Sequence, residues 1–400
     1  MLDNHEIRSQ FPFFSHSDFI YLDNGATTQK PQCVIDALCH FYNFNNANVH
    51  RGVSQLASNT TQMYEQARSK LAAHCAVSPE QIVWTKGATE AINLVASSID
   101  KHIEPNDIIV VSALEHHANL VPWQELCKRT GAELRVLPIN HQGLLNISAS
   151  LNMISSLKPK LVAVTHASNA LGNILPIEQL IDAAKNVNAI TLVDGAQAMQ
   201  HLKPNLDTLN SDFYVLSAHK MFGPTGVGAL IAKPHSLALL DTYQTGGEMI
   251  EQVSFSSSHY RQGNARFEAG TPNIAGIIGF GAALDFLNSE AMHTQRSYEQ
   301  SLYQYTIEQL KKIDGLTLYG DLENNIGTVS FNYKDEHHLD VATLLDQSSI
   351  VVRSGNHCTQ PLMNLLGVAG TIRVSLSCYN NYEDIDKFIF ALKQAIELLD

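Results

Sequence analysis

From about residue 81 to residue 233 the chain alternates short apolar runs with segments of helical periodicity, and this alternation limits the folds open to it. Residues 82–84, 108–111, 134–139, 161–165 and 190–193 read as strands. Between them, AINLVASSI, the turn and helix of EHHANLVPWQELCKRTG closed by Gly131, and IEQLIDAAKNVN read as connecting helices. Strands alternating with helices make βαβ units, which predict an α/β fold whose mainly parallel sheet is covered on both faces. Ligands of such sheets gather beyond the carboxyl ends of the strands, which is where the polar residues of this stretch cluster.

Beyond about residue 281 the pattern changes. Residues 297–313 read as a long amphipathic helix, 316–319 and 328–332 as strands, and 338–347 and 383–399 as helices. Ile385, Phe388, Ile389, Leu392 and Ile396 give the last helix one apolar face. A chain of 400 residues also exceeds what one core usually serves. The expected division is a large domain at 18–284 and a small α+β domain made of 1–17 and 285–400. No repeat or low-complexity linker separates them, so close packing is expected.

The net charge of -13 leaves no basic stripe to displace counterions, which argues against nucleic acid as a partner. No run approaches the roughly eighteen apolar residues of a membrane span, and MLDNHEIRSQFPFF has no apolar core of signal-peptide length, so no membrane partner and a cytoplasmic address are expected. Six cysteines without CxxC spacing predict neither a disulfide framework nor a metal site. Most of them read as small buried hydrophobes.

Residues 217–226, SAHKMFGPTG, place Lys220 just after an apolar run, an expensive position for a charge. Either Lys220 is a surface cation beyond a strand end, or its amine is wanted neutral, as a nucleophile. Asp194 ends the run AITLVD twenty-six residues earlier, and Gly87-Ala-Thr-Glu90 opens a helix after another strand. Three strand ends thus converge on one crevice. A pyridoxal phosphate site needs a lysine for the aldehyde, an acid to keep the pyridine nitrogen protonated, and a helix N-terminus with hydroxyls for the phosphate. A strand-end Asp is often only a cap, and GATE alone can be a plain helix start. The combination in this order is far more specific.

At this point the chain resembles the class V aminotransferases of fold type I, and among them the group II cysteine desulfurases of the SufS and CsdA type. YLDNGATTQKP, NVHRG, WTKGATEAINLV, EHHANLVPWQ, THASNALG, LVDGAQA, DFYVLSAHKMFGPTGVG, FEAGTPN, VVRSGNHCTQPL and TIRVSLSCYN carry the resemblance nearly end to end. It implies a mainly parallel seven-stranded sheet in the large domain and a small domain carrying an active-site cysteine loop. It also decides for the nucleophilic reading of Lys220, as the lysine that holds pyridoxal 5'-phosphate and moves the Cα proton. By the same resemblance Asp194 keeps the pyridine nitrogen charged, and His116 stacks on the ring and is a candidate acid/base. Gln197 and Asn169 hold the ring hydroxyl and the substrate side, while Thr89, Ser217 and His219 bind phosphate. Ala88 stands beside Thr89 where a hydroxyl is common. Thr271 of AGTPN reaches the phosphate of a neighbouring subunit, which implies a homodimer.

Arg373 matches the arginine that clamps the substrate carboxylate, a task suited to a guanidinium fork. Arg353 matches a second arginine near the cysteine, with a loop-ordering salt bridge as its alternative. For His117 a structural hydrogen bond is expected. Cys358, flanked by Arg and His in RSGNHC, matches the thiol that takes sulfur from L-cysteine as a persulfide and releases L-alanine. L-Selenocysteine belongs with that chemistry. A persulfide on so short a loop implies a docking SufE/CsdE-like acceptor and delivery to iron–sulfur clusters or other sulfur cofactors. Asn24-Gly25 stands in place of a frequent Ser-Ala pair and Ala218 in place of a frequent glycine; Asn356, where SUF-type enzymes usually carry a second histidine, together with GTIRVS leans the chain toward the CSD branch. A kynureninase-like or transaminase reaction and a non-catalytic scaffold are the alternatives, and Cys358 counts against both.

Overall fold

The computed structural model describes residues 4–50, 52–293 and 295–399, so Arg51 of NVHRG lies outside the described residues. Seven strands form the large sheet: β1 (Ile82–Thr85), β2 (Ile108–Ser112), β3 (Glu133–Leu137), β4 (Leu161–Thr165), β5 (Ile190–Asp194), β6 (Phe213–Ser217) and β7 (Gly228–Ala232). Their order is β1-β7-β6-β5-β4-β2-β3. Only β7 runs against the others, pairing antiparallel with β1 and β6. It follows the Gly- and Pro-rich turn of GPTGVG, and its five small or apolar residues lack the alternation that would mark a strand in the sequence.

Burial on both faces is visible within single strands. Ile109 and Val111 pack into one core with Ile92, Val95 and Trp123, while Val110 between them packs into the other with Leu180 and Ile181. In β6, Phe213 and Val215 face the first core, and Tyr214 and Leu216 the second. Side chains alternate across a strand, so two covered faces require an unbroken apolar run. Burying each Val, Leu, Ile or Phe stabilises the sheet by about 1.5–3 kcal/mol.

The small domain has a four-stranded antiparallel sheet of β8 (Leu316–Tyr319), β9 (Thr328–Tyr333), β10 (Arg353–Gly355) and β11 (Thr371–Ser375), ordered β8-β9-β11-β10. Helices Gln295–Leu310, His338–Gln347 and Tyr382–Leu399 bury Leu302, Leu345 and Phe388 against Phe331, Ile372 and Val374. The N-terminal segment crosses the division expected at residues 17 and 18. Ile7 and Phe11 enter the large-domain core, where the Phe11 ring meets Phe222, Phe286 and Tyr379. Ile20–Tyr21 instead pairs with Ile350–Val351, and Ile20 and Leu22 pack in the small-domain core. One strand of chain therefore ties both cores together at the crevice.

The cysteines depart from the expected pattern. Only Cys75 and Cys378 are buried, whereas Cys33 and Cys39 are exposed on helix Gln32–His40, which buries only Val34. Among the described residues no helix is long and apolar enough to cross a membrane.

Candidate active site

The carboxyl ends of β4, β5 and β6, the helix that follows β1, and β10 and β11 of the small domain enclose a cavity of about 230 Å³. Lys220, Asp194, His116, Gln197, Asn169, Ala88, Thr89, Ser217, His219, Arg353 and Arg373 all line it. Cys358 and Thr271 do not. Thr271 lies in a second cavity of about 170 Å³ beside Lys86 and Glu90, where Arg68 grips Glu268 of the same FEAGTPN segment through two bonds of 2.8 and 2.9 Å.

Lys220 closes the short turn Ala218–Lys220 that follows β6, so strand and turn drive its amine into the cavity. Burial pushes the amine down to about 8, with Arg373 and Arg353 acting in the same direction and Asp194 opposing. Burial likewise holds the Asp194 carboxyl above its ordinary range, against the pull of Lys220 and the Ala196 N–H that donates to Oδ1 at 2.9 Å. The next residue must be glycine: a Cβ on Gly195 would lie 2.0 Å from the Tyr214 ring, whose hydroxyl meets His166 Nδ1 at 3.0 Å.

His116 accepts the Ala118 N–H at its Nδ1 (3.0 Å), which leaves the ring hydrogen on Nε2. Burial and the nearby cations push its pKa to about 3, so the ring is neutral at physiological pH. Beneath it Glu115 is fully enclosed, accepting from Thr165 N (2.8 Å), Asn119 Nδ2 (2.6 Å) and Ser112 Oγ, and burial pushes it up to about 8. Nothing in EHHAN marks Glu115 as a buried acid: Ser112 and Asn119 are local partners, but the Thr165 N–H comes from the end of a different strand, β4.

At the opposite end, helix Ala88–Ser98 opens on Gly87, and Ala88 N donates to Ser217 Oγ at 2.8 Å. Backbone passes very close here: a Cβ on Gly228 would lie 2.4 Å from Gly87 Cα. The helix N-terminus, Thr89 and the neutral His219, held at about 4 mainly by burial, make an anion cradle.

The other end of the cavity belongs to Arg373. Its buried guanidinium donates to Asn169 O (2.7 Å) and Asp23 Oδ1 (2.6 Å), while Nε has no partner among the described residues. Gly25 lies against this fork, where a Cβ would press to 3.1 Å from Cζ. Gln197 and Asn169 are less free than expected. Gln197 Nε2 donates to Gly25 O and Asn169 Nδ2 to His357 O, each at 2.7 Å.

Cys358 stands on the rim. His357 and Cys358 are consecutive non-glycine residues with positive φ (52° and 58°), a conformation that surrounding contacts must impose. Asn356 Oδ1 takes the Cys358 N–H at 3.0 Å, Cys358 O accepts from His117 N at 2.8 Å, and His117 Nε2 takes the Gln360 N–H at 3.0 Å. His117 thus makes the structural bond expected of it. Arg353 Nη2 sits 3.9 Å from Sγ. His357, which the sequence did not single out, lines the cavity and bonds Thr371 Oγ1 at 2.8 Å.

Pyridoxal phosphate fits this donor set: an enclosed amine facing an enclosed carboxylate, a helix N-terminus beyond one end, and a guanidinium with an unpartnered Nε at the other. Residues 20–388 match the model of the aminotransferase class-V family. The chain belongs to that family. Within it, a probable cysteine desulfurase of Halalkalibacterium halodurans is 43% identical over 402 residues, spanning 99% of this chain and 98% of its own. A cysteine desulfurase of Escherichia coli O157:H7 is 41% identical over 401 residues, covering 98% of each chain. Among solved structures, the apo cysteine desulfurase of Thermococcus onnurineus superposes with a TM-score of 0.95 at 36% identity over 99% of both chains. The Escherichia coli cysteine desulfurase CsdA gives 0.93 at 36% identity, over 100% of this chain and 99% of that one.

Proposed function

We propose that this class V enzyme is a pyridoxal phosphate-dependent cysteine desulfurase, converting L-cysteine to L-alanine and carrying the sulfur as a persulfide on Cys358. The observation that carries this reading is a thiol on a strained, hydrogen-bonded loop at the mouth of a cavity whose floor holds Lys220 and Asp194. Pyridoxal phosphate supplies an electron sink for charge developing at the amino acid Cα. Lys220 holds it covalently and moves the Cα proton, Asp194 keeps its ring nitrogen charged, and His116 covers the ring. Thr89, Ser217, His219 and the Ala88 N-terminus hold its phosphate, with Gln197 and Asn169 bordering the ring and substrate.

Arg373 binds the substrate carboxylate, and Arg353 keeps positive charge beside the thiol. The Cys358 sulfur attacks the substrate sulfur, the Cβ–S bond breaks with its electron pair left on Cβ, and Cβ takes up a proton. Cysteine plus thiol thereby become alanine plus persulfide, with no external oxidant or reductant. L-Selenocysteine presents the same bond with selenium and is a second substrate. The anchored loop cannot carry sulfur far, which supports delivery to a docking SufE/CsdE-like acceptor in the cytoplasm and from there to iron–sulfur cluster or other cofactor assembly. That Thr271 lines a separate cavity rather than this one supports a homodimer in which it serves the other subunit's phosphate.

The test is alanine release from L-cysteine by the purified protein and by Cys358→Ala. Alanine from the wild type and little from the variant is the expected result. Alanine from neither sinks the desulfurase reading, and undiminished alanine from the variant removes Cys358 as the carrier.

A further inference from the structure

Lys30, the last lysine of YLDNGATTQKP, has no part in the chemistry above, yet it is largely buried and burial alone accounts for the lowering of its amine to about 7. Its Nζ donates to His219 O at 3.0 Å and Thr28 O at 2.5 Å, with the Thr27 and Thr28 hydroxyls at 3.5 and 3.4 Å. His219 O is the carbonyl of the peptide that enters Lys220. The same oxygen also accepts from Thr28 N (3.1 Å), Thr27 Oγ1 (3.1 Å) and Thr28 Oγ1 (3.2 Å). On the far side of Lys220, Phe222 has a φ of 61°, and its N–H donates to Thr28 Oγ1 at 3.0 Å. One short segment therefore grips the chain before and after the cofactor lysine.

We propose that Lys30 is a positioning residue for Lys220: with Thr27 and Thr28 it clamps the His219–Lys220 peptide and so aims the Lys220 amine into the cavity. The proposal rests on the cofactor reading above. A lysine has three donors and no acceptor, and here every acceptor is an uncharged oxygen, so its charge is not neutralised by a carboxylate. Below pH 7 the Lys30 amine is mostly charged, and hydrogen bonds from a charged donor are about twice as strong as neutral ones; above it the neutral amine still donates to the same carbonyl. The titratable neighbour facing Lys30 is His219, whose pKa Lys30 helps to keep low after burial and Lys220. A neutral His219 remains able to donate one ring hydrogen toward the phosphate.

The experiment compares wild-type holoenzyme with Lys30→Met and Thr27→Val. It reads the dissociation constant for pyridoxal phosphate, the pH midpoint of the bound cofactor's visible absorbance band, and the melting temperature of the apoprotein. Lys30→Met is expected to bind the cofactor about tenfold more weakly and to move the spectral midpoint by roughly half a pH unit or more, since a mis-aimed amine changes both. Thr27→Val, which removes one neutral donor, is expected to move the midpoint in the same direction by less. Wild-type affinity and midpoint in Lys30→Met overturn the proposal, as does a loss of melting temperature with the midpoint unmoved. Should Lys30→Met fail to fold, an unmoved midpoint in Thr27→Val overturns it instead. A wild type without the band sinks the cofactor reading itself, an outcome distinct from a normal wild type beside a normal variant.

Discussion

The floor and the rim of the cavity are built by different means. On the floor, Asp194 and Lys220 sit at the ends of adjacent parallel strands, so the sheet's own hydrogen bonds set their spacing. Their environment is fully enclosed, and burial dominates the pKa of each. On the rim, Cys358 owes its place to left-handed backbone held by Asn356, His117 and Asn169. The floor is rigid because a core lies beneath it, while the rim is rigid because a few polar bonds outweigh local strain. That difference suits a site in which proton transfer at Cα needs exclusion of water and sulfur transfer needs access from outside.

The comparison breaks most severely if the floor is dispensable. Lys220→Ala is expected to lower alanine formation by roughly 10³-fold or more and to abolish the covalent link to the cofactor, read by the absorbance spectrum. Cys358→Ala should lose about 10²-fold or more of the turnover yet keep the wild-type spectrum, because the rim does not hold the cofactor. Arg373→Lys replaces a fork with a point charge. The cysteine KM is expected to rise about 10- to 100-fold, corresponding to loss of a charged hydrogen bond worth about 1.5–3 kcal/mol.

The pH dependence sharpens the contrast further. The Lys220 amine is lowered from an ordinary lysine value to about 8, so its neutral, nucleophilic fraction grows from about a tenth at pH 7 to about nine tenths at pH 9. Cofactor uptake by the apoprotein should accelerate about tenfold across that interval in stopped-flow absorbance. The stability effect has a definite sign: the cost of burying this charge is fully present below pH 8 and falls away as the pH rises toward the unfolded value. At the rim, Asn356→Ala removes only the bond to Cys358 N, worth about 1 kcal/mol, and should slow persulfide formation about fivefold with the spectrum unchanged.

Much of the floor was legible in the sequence and little of the rim's scaffold was. β4, β5 and β6 could be found because a two-faced strand is an unbroken apolar run, and Asp194 and Lys220 stood out as the charges that end such runs. β7 escaped because its short apolar run follows a glycine-rich turn and shows no period. The split of the N-terminal segment between two cores also escaped, since apolar residues do not say which core they enter. Glu115 and Lys30 went unread because, beside their local bonds, each also needs a partner far along the chain, Thr165 and His219 at 50 and 189 residues, and His357 showed in the sequence only as a neighbour of Cys358, not as the partner of Thr371.

The sequence by itself determined the α/β fold and marked Asp194 and Lys220 as charges closing apolar runs, because local periodicity and strand-end chemistry are properties of contiguous residues, while the family resemblance carried by its motifs singled out Lys220 and Cys358 for their roles. Tertiary structure alone decided that Asn169 and His117 pin the cysteine loop, that Gly25 lies against the Arg373 fork, and that Thr27, Thr28 and Lys30 close on the peptide before Lys220. Those contacts join segments about 190 to 350 residues apart, and only a packed core brings such distant donors and acceptors within 3.2 Å of one another.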